Sequence, residues 1–254
     1  MDTIKKMQEQ CGKLKLMMTK DQLNDILRQA QKASWTHTEL LEHILTTEVE
    51  DLEDRSLKRR LSWAQFPYIK TLDDFKVDEL SVMSERQIKE LSEFHWVTDA
   101  YNLILLGPPG VGKTHLALGL GLDGIKKGLK VYYSTMNSLL DALKTEEFMR
   151  KSQIKINRIR KADIVIIDDL MYFGSNAREQ AMFFHLIHDL YEQTAIILTS
   201  NRSPELWSAL TDDPATTTAI LDRLLHRSEI VKMDGESFRM KHKMNIFVNE
   251  SVKM

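Results

Sequence analysis

The chain has 254 residues, enough for one or two domains at roughly 100–200 residues each. Apolar residues make up 43% and charged residues 28%, close to the soluble globular average, which excludes a disordered, collagen-like or coiled-coil-only chain. Lys and Arg total 35 against 37 for Asp and Glu, a net charge of −2, which at face value argues against a nucleic-acid binder with its usual basic excess. No run approaches the roughly 18 apolar residues of a membrane span. The first lysines are followed by polar residues rather than a signal-peptide core. Lone Cys11 excludes an internal disulfide and a multi-cysteine zinc site. A cytoplasmic protein is expected.

Residues 1–66 contain a single glycine, Gly12, and no proline, and they read as helix. Leu23, Ile26, Leu27 and Ala30 recur at three- and four-residue spacing, one apolar face of an amphipathic helix. Thr36-His37-Thr38-Glu39 fits a capping box, and Leu40, Leu41, Ile44 and Leu45 continue an apolar face beyond it. The pattern runs to about Gln65 and stops at Pro67, because a residue before proline is pushed out of the helical region. A small helical domain, residues 1–66, is therefore expected ahead of a second domain, residues 67–254. From about residue 100 short apolar runs alternate with longer helix-like segments. The runs are Leu103–Leu106, Val131–Tyr133, Ile164–Ile167, Ala195–Leu198 and Ile230–Val231. Such runs suit strands covered on both faces, and the alternation predicts an α/β domain with a parallel sheet flanked by helices.

Gly107-Pro108-Pro109-Gly110-Val111-Gly112-Lys113-Thr114 matches G-x-x-x-x-G-K-[ST], with a predicted strand before it and helix-competent Leu116-Ala117-Leu118 after it; His115, next to the loop, is counted with it as a nucleotide-binding candidate. Glycines let successive amides point at phosphate oxygens, helped by the positive end of the following helix. In such a loop Lys113 neutralises the β- and γ-phosphates and the Thr114 hydroxyl holds Mg²⁺. Asp168-Asp169 ends the Ile164–Ile167 run, where Asp168 can join the Mg²⁺ shell and Asp169 can polarise the attacking water as a general base. Asp169 is one methylene shorter than the Glu common here, and an acidic strand-end turn is the plainer reading. Asn201, after the Ala195–Leu198 run, is a candidate to orient that water, although Ser-Asn is also ordinary turn chemistry. Arg223 lies on a predicted helix before the last strand, where an arginine can reach a neighbouring subunit's γ-phosphate; a surface ion pair is the other reading.

In order, GPPGVGKT, IIDD, TSN and LDR resemble an AAA+ ATPase of the DnaA/DnaC-like clade. Arg55-Ser56-Leu57-Lys58-Arg59-Arg60, Ala64-Gln65-Phe66-Pro67, Thr71-Leu72-Asp73-Asp74-Phe75 and Gly235-Glu236-Ser237-Phe238-Arg239 make the chain similar to one branch, the IstB-like ATP-binding proteins that assist insertion-sequence transposases. That resemblance implies an ATP- and Mg²⁺-dependent oligomer with nucleotide between subunits and Arg223 offered in trans. It also implies binding to duplex DNA and recruitment or stimulation of a transposase of the same element. Phe75 becomes a candidate contact to the base, and Arg239 matches a second-sensor position, with a C-terminal helical lid short or absent. A DnaC/DnaI-type helicase loader shares the same core and is the alternative; a small-molecule P-loop kinase fits Asn201 and Arg223 poorly.

The near-neutral total hides segregation. Residues 150–161 read RKSQIKINRIRK, six basic residues without an acid, and place Lys151, Lys155, Arg158, Arg160 and Lys161 as candidate phosphate contacts. A second cluster is Arg55, Lys58, Arg59 and Arg60, although Asp51, Glu53 and Asp54 stand one turn earlier and can pair with it. No base-reading motif is visible, so shape readout with little sequence preference is expected. The eight histidines are scattered; His185 and His188 share the spacing of a metal pair without an evident third ligand.

Overall fold

A computed structural model describes residues 2–75, 83–171, 173–174, 176–208 and 213–235. All five apolar runs form strands: β1 (Asn102–Leu106), β2 (Val131–Thr135), β3 (Ile164–Asp168), β4 (Ala195–Ser200) and β5 (Ser228–Lys232). Several extend past the run that marks them, and those extensions are polar: Ser134 and Thr135, Asp168, Thr199 and Ser200. The sheet is parallel throughout, in the order β2-β3-β4-β1-β5. The order leaves β4 between the strand that feeds the glycine loop and the strand that ends in Asp168. Ligands of open parallel sheets bind at the carboxyl ends of the strands, where all the polar extensions lie. Strands β1, β3 and β4 are buried along their whole length, as double coverage requires. Strand β5 is one of the two edges: Val231 is buried, but Ile230 is 39% exposed, so the expectation of two covered faces fails there.

The helices of the described chain are α1 (Asp2–Lys13), α2 (Met17–Lys32), α3 (His37–Ala64), α4 (Glu85–Ser92), α5 (His95–Thr98), α6 (Lys113–Lys126), α7 (Met136–Thr145), α8 (Arg150–Ile159), α9 (Ala177–Leu190), α10 (Pro204–Ser208) and α11 (Pro214–His226). None is long and apolar enough to cross a membrane. Helix α4 carries a capping box of its own, Ser84 with Gln87, in a stretch where no element was expected.

The chain divides into two compact units, Met1–Arg59 and Arg60–Met254. In the first, Leu23 and Ile26 of α2 are buried as their spacing requires. The Thr36 amide donates to Glu39 Oε2 at 2.6 Å and the Glu39 amide to Thr36 Oγ1 at 3.3 Å, closing the expected box at the start of α3. Helix α2 begins at Leu16 without a side-chain cap of its own. Buried Glu48 supplies one from α3, accepting the Thr19 amide at 2.6 Å, and its carboxylate meets the positive helix end. The expected α3 face is half used: Leu40 and Ile44 are partly buried, whereas Leu41 and Leu45 are each 60% exposed.

The second unit begins inside the last turns of α3. Trp63 packs edge-on to Tyr132 at 5.7 Å and Phe66 to Tyr133 at 6.4 Å. Pro67 thus marks where the helix stops, while the packing of this unit starts several residues earlier.

Candidate nucleotide-binding site

The glycine loop joins β1 to α6, and its backbone explains its composition. Gly110 and Gly112 sit at φ +90° and +95°, a left-handed region that side chains rarely adopt. Gly107 is fixed by crowding: a Cβ there would lie 2.0 Å from the Met233 carbonyl oxygen, just beyond β5. The first amides of α6 have no partner within the helix and face the loop's concavity with the positive end of the helix dipole. Lys113 Nζ donates to the carbonyls of Gly107 at 2.7 Å and Pro108 at 2.8 Å, which keeps its ammonium over the loop. Val111 is buried and anchors the loop against the core, leaving Pro108 and Pro109 at its exposed rim.

Asp168 is the hub of the site. Its side chain ends β3, is only 8% exposed, and accepts three hydroxyls. Thr114 Oγ1 donates to Oδ1 at 2.8 Å, Thr199 Oγ1 donates to the same oxygen at 2.6 Å, and the Tyr133 hydroxyl donates to Oδ2 at 3.0 Å. Thr199 also accepts the Asp169 amide at 2.9 Å, and Asp169 is exposed with φ at +60°, unusual for a residue with a side chain. One threonine therefore ties both carboxylate residues to β4. Of the residues singled out in the sequence, Thr114 and Asp168 meet directly, Asp169 follows Asp168, and Lys113 stands over the loop; Thr199 and Tyr133 were not foreseen. The polar role on β4 was expected of Asn201, which follows the strand and is exposed. Strand parity held the missing signal: Tyr133 pairs with Ile166 and Thr135 with Asp168, so Tyr133 and Asp168 share a sheet face.

The donors around Asp168 are all oxygens, a hydroxyl and a carboxylate beside a phosphate-type loop. Mg²⁺ takes one or two carboxylates together with substrate phosphates rather than an all-protein cage, so this set fits it. Among the described residues there is no cluster of three or more His, Cys, Asp or Glu that could hold a metal by itself. His185 and His188 pack around Phe184, with His188 stacked on its ring at 6.3 Å.

Phe75 is buried and meets His115 edge-on at 5.4 Å, while His115 Nε2 lies 2.9 Å from the Thr71 carbonyl. The Thr71–Phe75 segment is thereby fastened to the first turn of α6, beside the loop. Its own turn is closed by Thr71 Oγ1 donating to Asp74 Oδ2 at 2.7 Å. Arg239 lies outside the described residues.

Arg223 stands elsewhere. It lies near the end of α11, which leads into Ser228, and Ser228 pairs with Asn102 at the start of β1. The glycine loop begins at the other end of β1, five residues or about 16 Å away. Arg223 Nη1 donates to the Ala219 carbonyl at 2.9 Å, and its guanidinium lies 4.8 Å from the centroid of the Phe184 ring.

The basic window forms α8 and its C-terminal turn, between β2 and β3. Ser152, Ile156 and Ile159 are buried and Ile154 is 45% exposed. Its cations divide into two groups. Arg160 bridges Glu146 at 2.6 Å and Asp189 at 3.0 Å, which outweighs burial and raises its pKa. Lys155 Nζ donates to Ser138 O and Oγ, both at 2.7 Å, and burial pushes its pKa down to about 8. Lys151 and Lys161 are exposed, and Arg158 is half-buried. In the second cluster Arg55 pairs with Asp51 at 2.6 Å, the i,i+4 pairing the sequence allowed, and Arg60 Nε donates to the Ile125 carbonyl at 3.0 Å. Lys58 and Arg59 are exposed.

Comparison with known proteins agrees with this geometry. The family model described as "IstB-like ATP binding protein" matches residues 9–246. An ATP-binding protein of an IS21-like insertion sequence in Bacteroides fragilis is 36% identical over 247 residues, covering 97% of this chain and 94% of the relative. An ATP-binding protein of insertion sequence IS5376 in Geobacillus stearothermophilus is 33% identical, covering 92% of this chain and 94% of the relative. Among solved structures, the crystal structure of a DNA replication initiation factor superposes with a TM-score of 0.50 at 25% identity, over 65% of this chain and 49% of that one. That of DnaI superposes with a TM-score of 0.53 at 20% identity, over 66% and 89%. The fold is that of an AAA+ P-loop domain.

Proposed function

The chain belongs to the family of IstB-like ATP-binding proteins, and from that membership we propose that it is an Mg²⁺-dependent ATPase that helps an insertion sequence transpose. It assembles on duplex DNA as an oligomer with ATP at the subunit interfaces, recruits or stimulates the transposase of the same element, and uses hydrolysis to regulate assembly. The loop amides and Lys113 take the phosphates, and Thr114 with Asp168 holds Mg²⁺. The bound metal neutralises charge on the β- and γ-phosphate oxygens. Asp169 accepts the proton of the attacking water, Asn201 orients that water, and Phe75 with His115 borders the nucleotide beside the loop. The insertion-sequence relatives, matched over more than nine-tenths of this chain, favour this reading over a helicase loader, for which the DnaI likeness speaks to the fold alone.

The single observation that carries the oligomeric part is the place of Arg223, at the end of the sheet opposite the glycine loop. An arginine there lies at the far end of its own sheet from the glycine loop, and it reaches a neighbour's γ-phosphate by leaving the Ala219 carbonyl and the Phe184 ring. Lys151, Arg158 and Lys161 on one segment, with Lys58 and Arg59 on the other, are the cations best placed for DNA phosphates. Lys155, Arg160, Arg55 and Arg60 carry intramolecular partners and contribute less.

Mixing two inactive variants tests the arrangement. Arg223→Ala binds ATP and hydrolyses it poorly, and so does Asp169→Ala. Combined in equal amounts, about a quarter of interfaces regain both groups, so turnover returns toward that fraction of wild type if the arginine acts in trans. No rescue at any ratio overturns the trans assignment.

A further inference from the structure

A Walker aspartate needs its carboxylate in one orientation, because the metal shell is positioned by a particular oxygen. In this chain the two threonine hydroxyls both fall on Oδ1 of Asp168. Two donors on one oxygen leave Oδ2 to a separate partner. That partner is Tyr133, whose hydroxyl donates to Oδ2 and adds to the hold on the rotation of the carboxylate about Cβ–Cγ. Tyr133 sits on β2 two register positions before the partner of Asp168, about 6.6 Å along the strand. A phenol spans that gap and places its hydroxyl on Asp168, whereas an aliphatic side chain ends short of it.

The ring is itself fixed from outside the nucleotide motifs. Phe66 meets it edge-on, and the Phe66 ring tip packs so close to Gly121 of α6 that a Cβ there would approach it to 2.8 Å. Ile166 Cδ1 closes the same spot at 2.8 Å. Phe66 thus locks Tyr133 between the segment after α3 and the helix that carries Thr114.

We propose that Tyr133 is a positioning residue for the metal shell, holding the Oδ2 oxygen of Asp168 so that Mg²⁺ and the Thr114 hydroxyl meet it in a fixed orientation, with Phe66 bracing the ring. This rests on the ATPase reading and deepens it. Tyr133 acts through Asp168, so its loss is felt in metal linkage and not in phosphate affinity.

The test is equilibrium binding of a fluorescent ATP analogue to the full chain, in EDTA and across a MgCl₂ titration, for wild type and Tyr133→Phe. The substitution removes one oxygen and keeps the ring that Phe66 packs against. Affinity in EDTA is expected to stay within two-fold of wild type, while the Mg²⁺ concentration at half-effect rises about ten- to a hundred-fold, the loss of one hydrogen bond to a charged group. Phe66→Leu, which keeps the hydroxyl but loosens the ring, is expected to shift the same midpoint by a smaller factor. Unchanged Mg²⁺ midpoints in both variants, beside a wild type that does respond to Mg²⁺, overturn the positioning role alone. A wild type whose ATP affinity ignores Mg²⁺ overturns it together with the metal-dependent ATPase reading.

Discussion

Thr199→Val isolates the threonine that ties the two carboxylates to β4. Valine keeps the shape and the β-branch and removes only the hydroxyl. Asp168 Oδ1 then loses a donor at 2.6 Å, and a hydrogen bond to a charged acceptor contributes about 1.5–3 kcal/mol. The Asp169 amide loses its acceptor at 2.9 Å, worth about 0.5–1.5 kcal/mol more. The sum is about 2–4.5 kcal/mol, which lowers the melting temperature by roughly 4–18 °C in a chain of this size. Function should suffer separately, because Asp169 sits in a left-handed conformation that the amide contact helps maintain. Thermal melts and ATP turnover measured together on Thr199→Val and Thr199→Ser check this. Serine is expected to recover most of the stability and turnover, while valine loses at least ten-fold in kcat with nucleotide affinity in EDTA retained. A valine variant within about 0.5 kcal/mol of wild type that turns over normally would refute the tie.

Lys113→Ala should abolish ATP binding, read by the same fluorescent analogue; normal affinity would count against the phosphate-loop assignment. Gly107→Ala should both weaken nucleotide binding more than ten-fold and lower the melting temperature, because its Cβ collides with the Met233 carbonyl; an unaffected melt would mean that the crowding relaxes freely. Lys151→Gln with Lys161→Gln should flatten the slope of log DNA affinity against log salt by about 2, whereas Arg160→Gln should change it far less, since two carboxylates already occupy that guanidinium. Equal slopes in the two cases would contradict the division of cations. Burial holds Lys155 at about 8, below an unfolded lysine, so the unfolded chain binds more protons between that value and about 10.4 and stability at this position rises with pH there. The stability of Lys155→Met relative to wild type should therefore fall from pH 7 to pH 10 in denaturant titrations; a pH-independent difference would contradict it.

Much of this was legible because strand and loop chemistry are local. Gly107–Thr114 and Asp168-Asp169 fix their own backbone, and the apolar runs locate every strand within one or two residues. The Thr36–Glu39 box is equally local and closes as its letters require. Contacts between elements were less accessible. Tyr133 and Thr199 reach Asp168 only through the register of β2 and β4 with β3, and nothing in either short segment announces that pairing. Glu48 reads as one acid among many on α3, yet it caps α2 from 29 residues away. The basic window was visible as composition, but composition does not distinguish Lys161, which faces solvent, from Arg160, whose acids lie 14 and 29 residues off in sequence. Pro67 signalled the end of a helix truthfully; Trp63 and Phe66 show that packing of the second unit crosses that signal.

Near-neutral net charge makes tight DNA binding by one copy of this chain unfavourable, and it makes assembly the central claim. Sizing the full chain by light scattering, without nucleotide, with a non-hydrolysable ATP analogue and Mg²⁺, and with the analogue plus duplex DNA, tests that claim directly. The expected result is a small species without nucleotide that grows into a large oligomer only when analogue and DNA are both present, with Arg223→Ala assembling less well. A mass that ignores both nucleotide and DNA would contradict the account.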